Sequence, residues 1–189
     1  MTANKNLYQF IQTFKNAIPT NFCDEVVSSL DSNENWQHDN WGELKNTGEI
    51  VNPKGDSKVL YRGHYSDDHY LELRKWVRVA INQYFPELGI GANYLSPLRI
   101  NKYETGDCMR YHKDYIRNIF DGERKGIPIL SILGCLDDKH EGGEIVFNKE
   151  HKIKLNKGEI LIFPSTFMYS HEIAPVRSGR RISFATWGY

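Results

Sequence analysis

The 189-residue sequence lacks the features that mark several large protein classes. Its longest apolar runs, such as Ile160–Phe163, fall far short of a membrane span, and the opening MTANKNLYQF has no signal-peptide core. Charge of one sign is not in excess. With 24 Lys+Arg against 24 Asp+Glu, no global electrostatic force favours a nucleic acid or an anionic membrane as partner. The three cysteines, Cys23, Cys108 and Cys135, are an odd number without metal-site spacing, which fits reduced, buried thiols better than a disulfide framework. There is no repeat, no low-complexity tract and no Pro/Gly/Ser linker, and only 7 prolines, so collagen-like and disordered classes are excluded. These absences lead to an expectation of a cytoplasmic protein forming one domain over 1–189, with a support and lid region at 1–92 and a core at 93–189.

What is present is ordinary globular material, 40% apolar and 13% aromatic, enough to bury a core without disulfides or a structural metal. Leu7–Phe14 is apolar enough for a strand, and Pro19-Thr20-Asn21 starts a short helix over Phe22–Leu30. From Glu34 to Gly63 the pattern is irregular, with Trp36 and Trp41 among polar residues, and is expected to be a functional loop or lid. Ser66-Asp67-Asp68 reads as a helix cap ahead of Leu71, Leu73, Trp76, Val77, Ala80, Ile81 and Phe85, whose spacing suits an amphipathic helix ending near Gly89. After Gly91, short β-branched and aromatic runs are cut by Gly, Pro and Asp. The expected strands are Ser96–Tyr103, Met109–Tyr115, Ile127–Asp137, Gly143–Phe147, His151–Leu155, Ile160–Phe163, Tyr169–Ala174 and Arg180–Gly188. The fold class is therefore mainly β with flanking α: a double-stranded β-helix (jelly roll) buttressed by N-terminal helices.

The most informative residues are His112, Asp114 and His171. On a strand, His112 and Asp114 sit two apart and project from one face, so imidazole and carboxylate can converge. A His-x-Asp pair arises by chance too readily to stand alone. With His171 from a later strand, the two His and one carboxylate would cap one face of an octahedral metal and leave the other open, as a non-haem Fe(II) oxygenase requires. Ten residues after His171, alternation puts Arg181 and Ser183 on one face. A guanidinium can hold a dicarboxylate in a bidentate fork, and the hydroxyl can add a further hydrogen bond. Arg180 beside it reads as a solvated charge, and His38, His64, His69, His140 and His151 read as surface or loop positions.

At this point the sequence resembles the 2-oxoglutarate- and Fe(II)-dependent dioxygenases, in their prolyl 4-hydroxylase-like branch. The resemblance runs from Leu98 to Tyr189. It rests on Arg99–Gly106 ahead of the His-x-Asp, on Leu130–Asp138 followed by Glu141-Gly142-Gly143-Glu144-Ile145-Val146-Phe147, and on Lys157-Gly158 leading to Phe163-Pro164. His171-Glu172-Ile173-Ala174-Pro175-Val176 and Gly179–Trp187 complete it. The resemblance implies that His112, Asp114 and His171 bind Fe(II), that Arg181 holds the distal carboxylate of 2-oxoglutarate, and that Tyr103 and Ser183 help orient it. It implies O2 as second cosubstrate, with ascorbate as a further candidate cofactor, and places Trp187 near the substrate channel. One position departs from the pattern, because Cys135 stands where some prolyl hydroxylases carry a tyrosine that bonds 2-oxoglutarate. Retention of a carboxylate at Asp114 argues against the related halogenases.

The activity so implied is hydroxylation of a prolyl residue in a peptide or protein, with release of succinate and CO2. Three other readings stay open: a free amino acid or other small-molecule substrate, an alkylated nucleobase, and a non-catalytic metal-binding jelly roll. The neutral charge weighs against the nucleobase. An intact triad together with Arg181 weighs against a silent module.

Overall fold

The computed structural model describes residues 7–38, 43–44, 50–51, 58–60, 66–84, 86, 89–114 and 127–189. Helix α1 (Thr20–Asp31) starts directly after Pro19 and turns Cys23, Val26 and Leu30 inward at helical spacing. Helix α2 (Asp67–Gln83) is capped by Ser66, whose side chain accepts from the His69 N–H, with Asp67 and Asp68 in its first turn. It buries Tyr70, Leu73, Val77, Ala80 and Ile81. Among the described residues, neither helix is long and apolar enough to cross a membrane.

The strands among the described residues are β1 (Gln12–Phe14), β2 (Gln37–His38), β3 (Glu43–Leu44), β4 (Ile50–Val51), β5 (Lys58–Leu60), β6 (Arg99–Tyr103), β7 (Met109–His112), β8 (Leu130–Asp137), β9 (His140–Gly142), β10 (Ile145–Phe147), β11 (His151–Ile153), β12 (Ile160–Pro164), β13 (His171–Ile173), β14 (Val176–Gly179) and β15 (Arg181–Gly188). A large sheet runs in the order β1-β12-β8-β15-β6-β5-β2 and a small one in the order β11-β10-β13-β7. The mainly β jelly roll with helical buttress is thus the observed architecture.

Period-two alternation splits the core into two layers. Ile160 and Ile162 of β12 face the helices, with Ile132 and Phe184, whereas Leu161 and Phe163 face the small sheet, with Phe147, Ile145 and Ile173. Each such side chain, fully buried, contributes about 1.5–3 kcal/mol. One contact depends on a missing side chain. Gly134 lies opposite Phe184 across β8 and β15, and a Cβ there would come 2.1 Å from the Phe184 ring, so only glycine lets the ring lie flat on the sheet.

Several expectations change in detail. Over Leu7–Phe14 the chain forms a 3₁₀ turn at Tyr8–Phe10 before the short β1, because the Ile11 N–H bonds back to the Tyr8 carbonyl. Strands β2 to β5, within the Glu34–Gly63 segment expected to be irregular, and strands β9 and β14 were not expected; they exist through pairing of β2 with β5, β5 with β6, β3 with β4 and β9 with β14, which local propensity does not carry. His140 accordingly lies on a strand and is buried rather than on a loop, and His151 stacks on Tyr8. Arg180 pairs with Asp31 and ties α1 to the sheet. The strand expected at Met109–Tyr115 ends at His112. Tyr115 of that expected strand, Trp41 of the expected lid, and His64 lie outside the described residues.

Candidate metal centre

The site forms between the two sheets. β7 and β13 pair with His112 opposite His171, which sets the two imidazoles side by side with ring centroids 4.4 Å apart. Asp114 follows two residues after His112. The three ligand atoms lie within 4.8 Å of one another, and Asp114 Oδ1 is 3.6 Å from His112 Nε2. Sequence spacing alone could relate the first two; the third arrives only through strand pairing.

The surrounding hydrogen bonds put each group in its metal-binding form. His112 Nδ1 lies 2.7 Å from the Arg110 carbonyl and His171 Nδ1 3.1 Å from that of Tyr169. Each Nδ1 is therefore the protonated nitrogen, and each Nε2 offers its lone pair to the site. Burial pushes the His171 imidazole down to about 4, which keeps it neutral. Desolvation alone would raise the Asp114 carboxyl. The neighbouring histidines and the hydrogen bonds from Ser131 and Trp187 outweigh it and hold the carboxyl below its ordinary value. An edge contact from Phe163, with centroids 5.0 Å apart, and a tilted contact from Phe147 at 5.5 Å pack the His171 ring. Two neutral imidazole nitrogens and one ionised carboxylate suit a divalent first-row metal, so this donor set fits Fe(II).

Asp114 is held from behind. Ser131 Oγ donates to Asp114 Oδ2 at 2.6 Å, and Ser165 Oγ lies 2.7 Å from Ser131 Oγ. A serine has one proton, so with Ser131 committed to the carboxylate, Ser165 must donate to Ser131. The Trp187 indole also bonds the Asp114 carboxylate, and Oδ1 is the oxygen that lies beside His112 Nε2.

The same cleft continues past the triad to Arg181. Arg181 is buried, donates from Nη1 to Ser183 Oγ at 2.6 Å, and lies over the Tyr103 ring at 5.2 Å. Gly143 makes room for it: at φ +66° a side chain is strained, and a Cβ there would come 2.9 Å from Arg181 Cδ. Met109, Leu133, Ile173 and Ala185 supply apolar wall. His112, Asp114, His171, Tyr103, Arg181, Ser183 and Trp187 are all brought to this one cleft. Cys135 lies opposite Ser183 in register, buried in the apolar layer, with Sγ directed to the Asp137 carbonyl at 3.4 Å. Burial pushes its thiol up to about 12. Sequence reasoning missed Arg99, Asn101, Ser131 and Ser165. The first two were signalled by the alternation Arg99, Asn101, Tyr103, whereas no local signal marks the serines.

Comparison with known proteins agrees with this arrangement. Residues 98–189 match the family described as the 2OG-Fe(II) oxygenase superfamily. A PKHD-type hydroxylase of Stenotrophomonas maltophilia is 31% identical over 124 residues, which is 61% of this chain and 53% of that protein. The chain thus spans about half the length of that curated relative. In fold, it is similar to the viral collagen prolyl hydroxylase of Paramecium Bursaria Chlorella virus-1 solved with 2OG (TM-score 0.66, 18% identity, 94% of each chain). It is likewise similar to a Trichoplax adhaerens prolyl hydroxylase in complex with a hypoxia inducible factor peptide fragment (TM-score 0.69, 17% identity, 97% of this chain and 86% of that one).

Proposed function

We propose that this chain, which belongs to the 2OG-Fe(II) oxygenase superfamily, hydroxylates a C–H bond of a prolyl residue in a peptide or protein. The observation that carries the proposal is the placement of a His112–Asp114–His171 donor set and a buried Arg181–Ser183 pair at two positions in one cleft. Fe(II), 2-oxoglutarate and O2 together supply the oxidising chemistry, turning 2-oxoglutarate into succinate and CO2 and leaving a hydroxyl on the substrate carbon.

The chain's own residues do the binding and orienting. His112 and His171 hold the metal through Nε2 because carbonyl acceptors occupy their other nitrogens. Asp114 holds it through Oδ1 while Ser131 and Trp187 occupy the rest of the carboxylate. Arg181 takes the distal carboxylate of 2-oxoglutarate, its own charge made directional by the Ser183 hydroxyl and its plane fixed on the Tyr103 ring. Ser183 thereby stands in for the tyrosine that Cys135 replaces, since a protonated thiol turned toward the Asp137 carbonyl offers the cosubstrate nothing. A peptide substrate is supported by the prolyl hydroxylases of the same fold and by the peptide bound to one of them.

The test is anaerobic titration of Fe(II) with 2-oxoglutarate, read by the weak visible charge-transfer band of the chelate. The band should form in wild type, vanish in His112→Ala, and need about 10- to 100-fold more cosubstrate in Arg181→Ala, as loss of a charge-assisted contact demands. Succinate and hydroxyproline should then form in air with proline-containing peptides. A chain that binds Fe(II) without the band is not a 2-oxoglutarate enzyme, and turnover confined to free amino acids would remove the peptide reading.

A further inference from the structure

The cleft holds a second arginine for which the cosubstrate has no use. Arg99, Asn101 and Tyr103 alternate along β6 and all line the cleft. β6 pairs with β15 in the register Arg99–Ala185, Asn101–Ser183 and Tyr103–Arg181. Arg181 therefore stands at one end of the floor and Arg99 at the other, four residues apart, or about 13 Å at the usual rise of a strand. The Arg99 guanidinium lies over the Trp187 ring, 5.6 Å from its centre, and Trp187 in turn bonds Asp114. Arg99 is thus one indole ring away from the metal position, on the side remote from Arg181. Between the arginines, Asn101 is 3% exposed and its Oδ1 has no hydrogen-bond partner among the described residues.

2-Oxoglutarate, with one end on Arg181 and the other at the metal, is a five-carbon chain and cannot also reach Arg99. The polar groups at the Arg99 end therefore face the volume left for the substrate. The contact with the Trp187 ring holds the Arg99 cation at this end of the cleft, and a guanidinium can fork two N–H donors onto a carboxylate. We propose that Arg99 determines substrate specificity by binding a carboxylate of the substrate next to the carbon that is hydroxylated, with Asn101 supplying a polar contact beside it. The carboxylate belongs to an acidic or C-terminal residue of a peptide or to a free amino acid, since all present the same group. The inference rests on the 2-oxoglutarate reading above.

The experiment uses the whole chain with Fe(II) and 2-oxoglutarate under nitrogen, and reads the change in the charge-transfer band on adding matched probes. The pairs are a peptide with Asp or Asn after proline, a peptide ending in proline acid or proline amide, and L-proline or L-prolinamide. In at least one pair, wild type should prefer the acid by about 10- to 100-fold, the range expected for a charge-assisted contact, and the pair identifies its source. Arg99→Gln should lose the preference while its 2-oxoglutarate affinity stays within twofold, and Arg99→Lys should keep part of it. Failure of wild type to prefer the acid in any pair overturns the proposal, as does an Arg99→Gln variant that instead weakens 2-oxoglutarate. Hydroxyproline formation in air is scored separately: acid preference without it upholds Arg99 and removes the prolyl reading.

Discussion

Replacing Ser131 with alanine asks whether the protein, rather than the metal, sets the orientation of Asp114. Ser131 is fully buried and Ser165 nearly so, and they form a chain in which Ser165 donates to Ser131 and Ser131 to the carboxylate. The loss has two separable parts. A hydrogen bond to an ionised group contributes about 1.5–3 kcal/mol, and its removal loosens the carboxylate. The Ser165 hydroxyl, left buried without its acceptor, costs about 1–3 kcal/mol more, and this part falls on folding. Metal affinity should therefore drop about 10- to 100-fold, as other carboxylate-orienting groups produce, and the melting temperature by about 2–4 °C per kcal/mol. The double variant Ser131→Ala/Ser165→Ala removes the orphaned donor and should recover part of the stability but none of the metal affinity. The assay pairs anaerobic Fe(II) titration at saturating 2-oxoglutarate with thermal unfolding of the metal-free protein. A single variant whose metal dissociation constant stays within twofold of wild type, or a double variant that regains metal affinity with stability, would refute the reasoning.

Three further outcomes follow from the same geometry. Gly143→Ala should lose about 1–3 kcal/mol of stability from its left-handed backbone and raise the 2-oxoglutarate concentration needed for half-saturation, because its Cβ meets Arg181; an unchanged cosubstrate requirement would count against Arg181 as the anchor. In native protein at neutral pH a thiol reagent should leave Cys23 and Cys135 unmodified, since burial raises them to about 11 and about 12, and both should react in denaturant; rapid labelling of either without denaturant would contradict this. Metal-free protein should lose stability as pH falls. His171 titrates near 4 when folded against about 6.5 unfolded, so the unfolded chain takes up the proton first, and stability present above pH 6.5 is lost toward pH 4. The loss between pH 7 and 5 is on the order of 2 kcal/mol, readable as a lower urea midpoint, and a flat profile would contradict it.

Much of the site was legible because its signals are local or come in order. Alternation predicted His112 and Asp114 on one face; the strand ends at His112, and Asp114 reaches the site from just beyond it, whereas Arg181 and Ser183 do alternate on β15. The apolar runs at Ile160–Phe163 and Leu130–Asp137 declare buried strands by composition. What escaped lies in long-range pairing. Ser131 and Ser165 look like any strand serines until β8 and β12 lie side by side and bring them behind Asp114. His140 looked like a loop residue because the pairing of β9 with β14 joins segments far apart in sequence.

Sequence alone was enough for the mainly β class, the two helices and the donor types of the candidate metal centre and of the proposed cosubstrate anchor, because side-chain chemistry and short-period patterning are properties of neighbouring residues. It took the folded structure to show that His171 meets His112, that carbonyls fix both imidazole tautomers, and that the serine chain and Trp187 hold the Asp114 carboxylate. The folded structure also decided that Arg99 faces the far end of the cleft from Arg181. Each of these depends on the register of paired strands, and a shift of one residue would send every such side chain to the opposite face of its sheet.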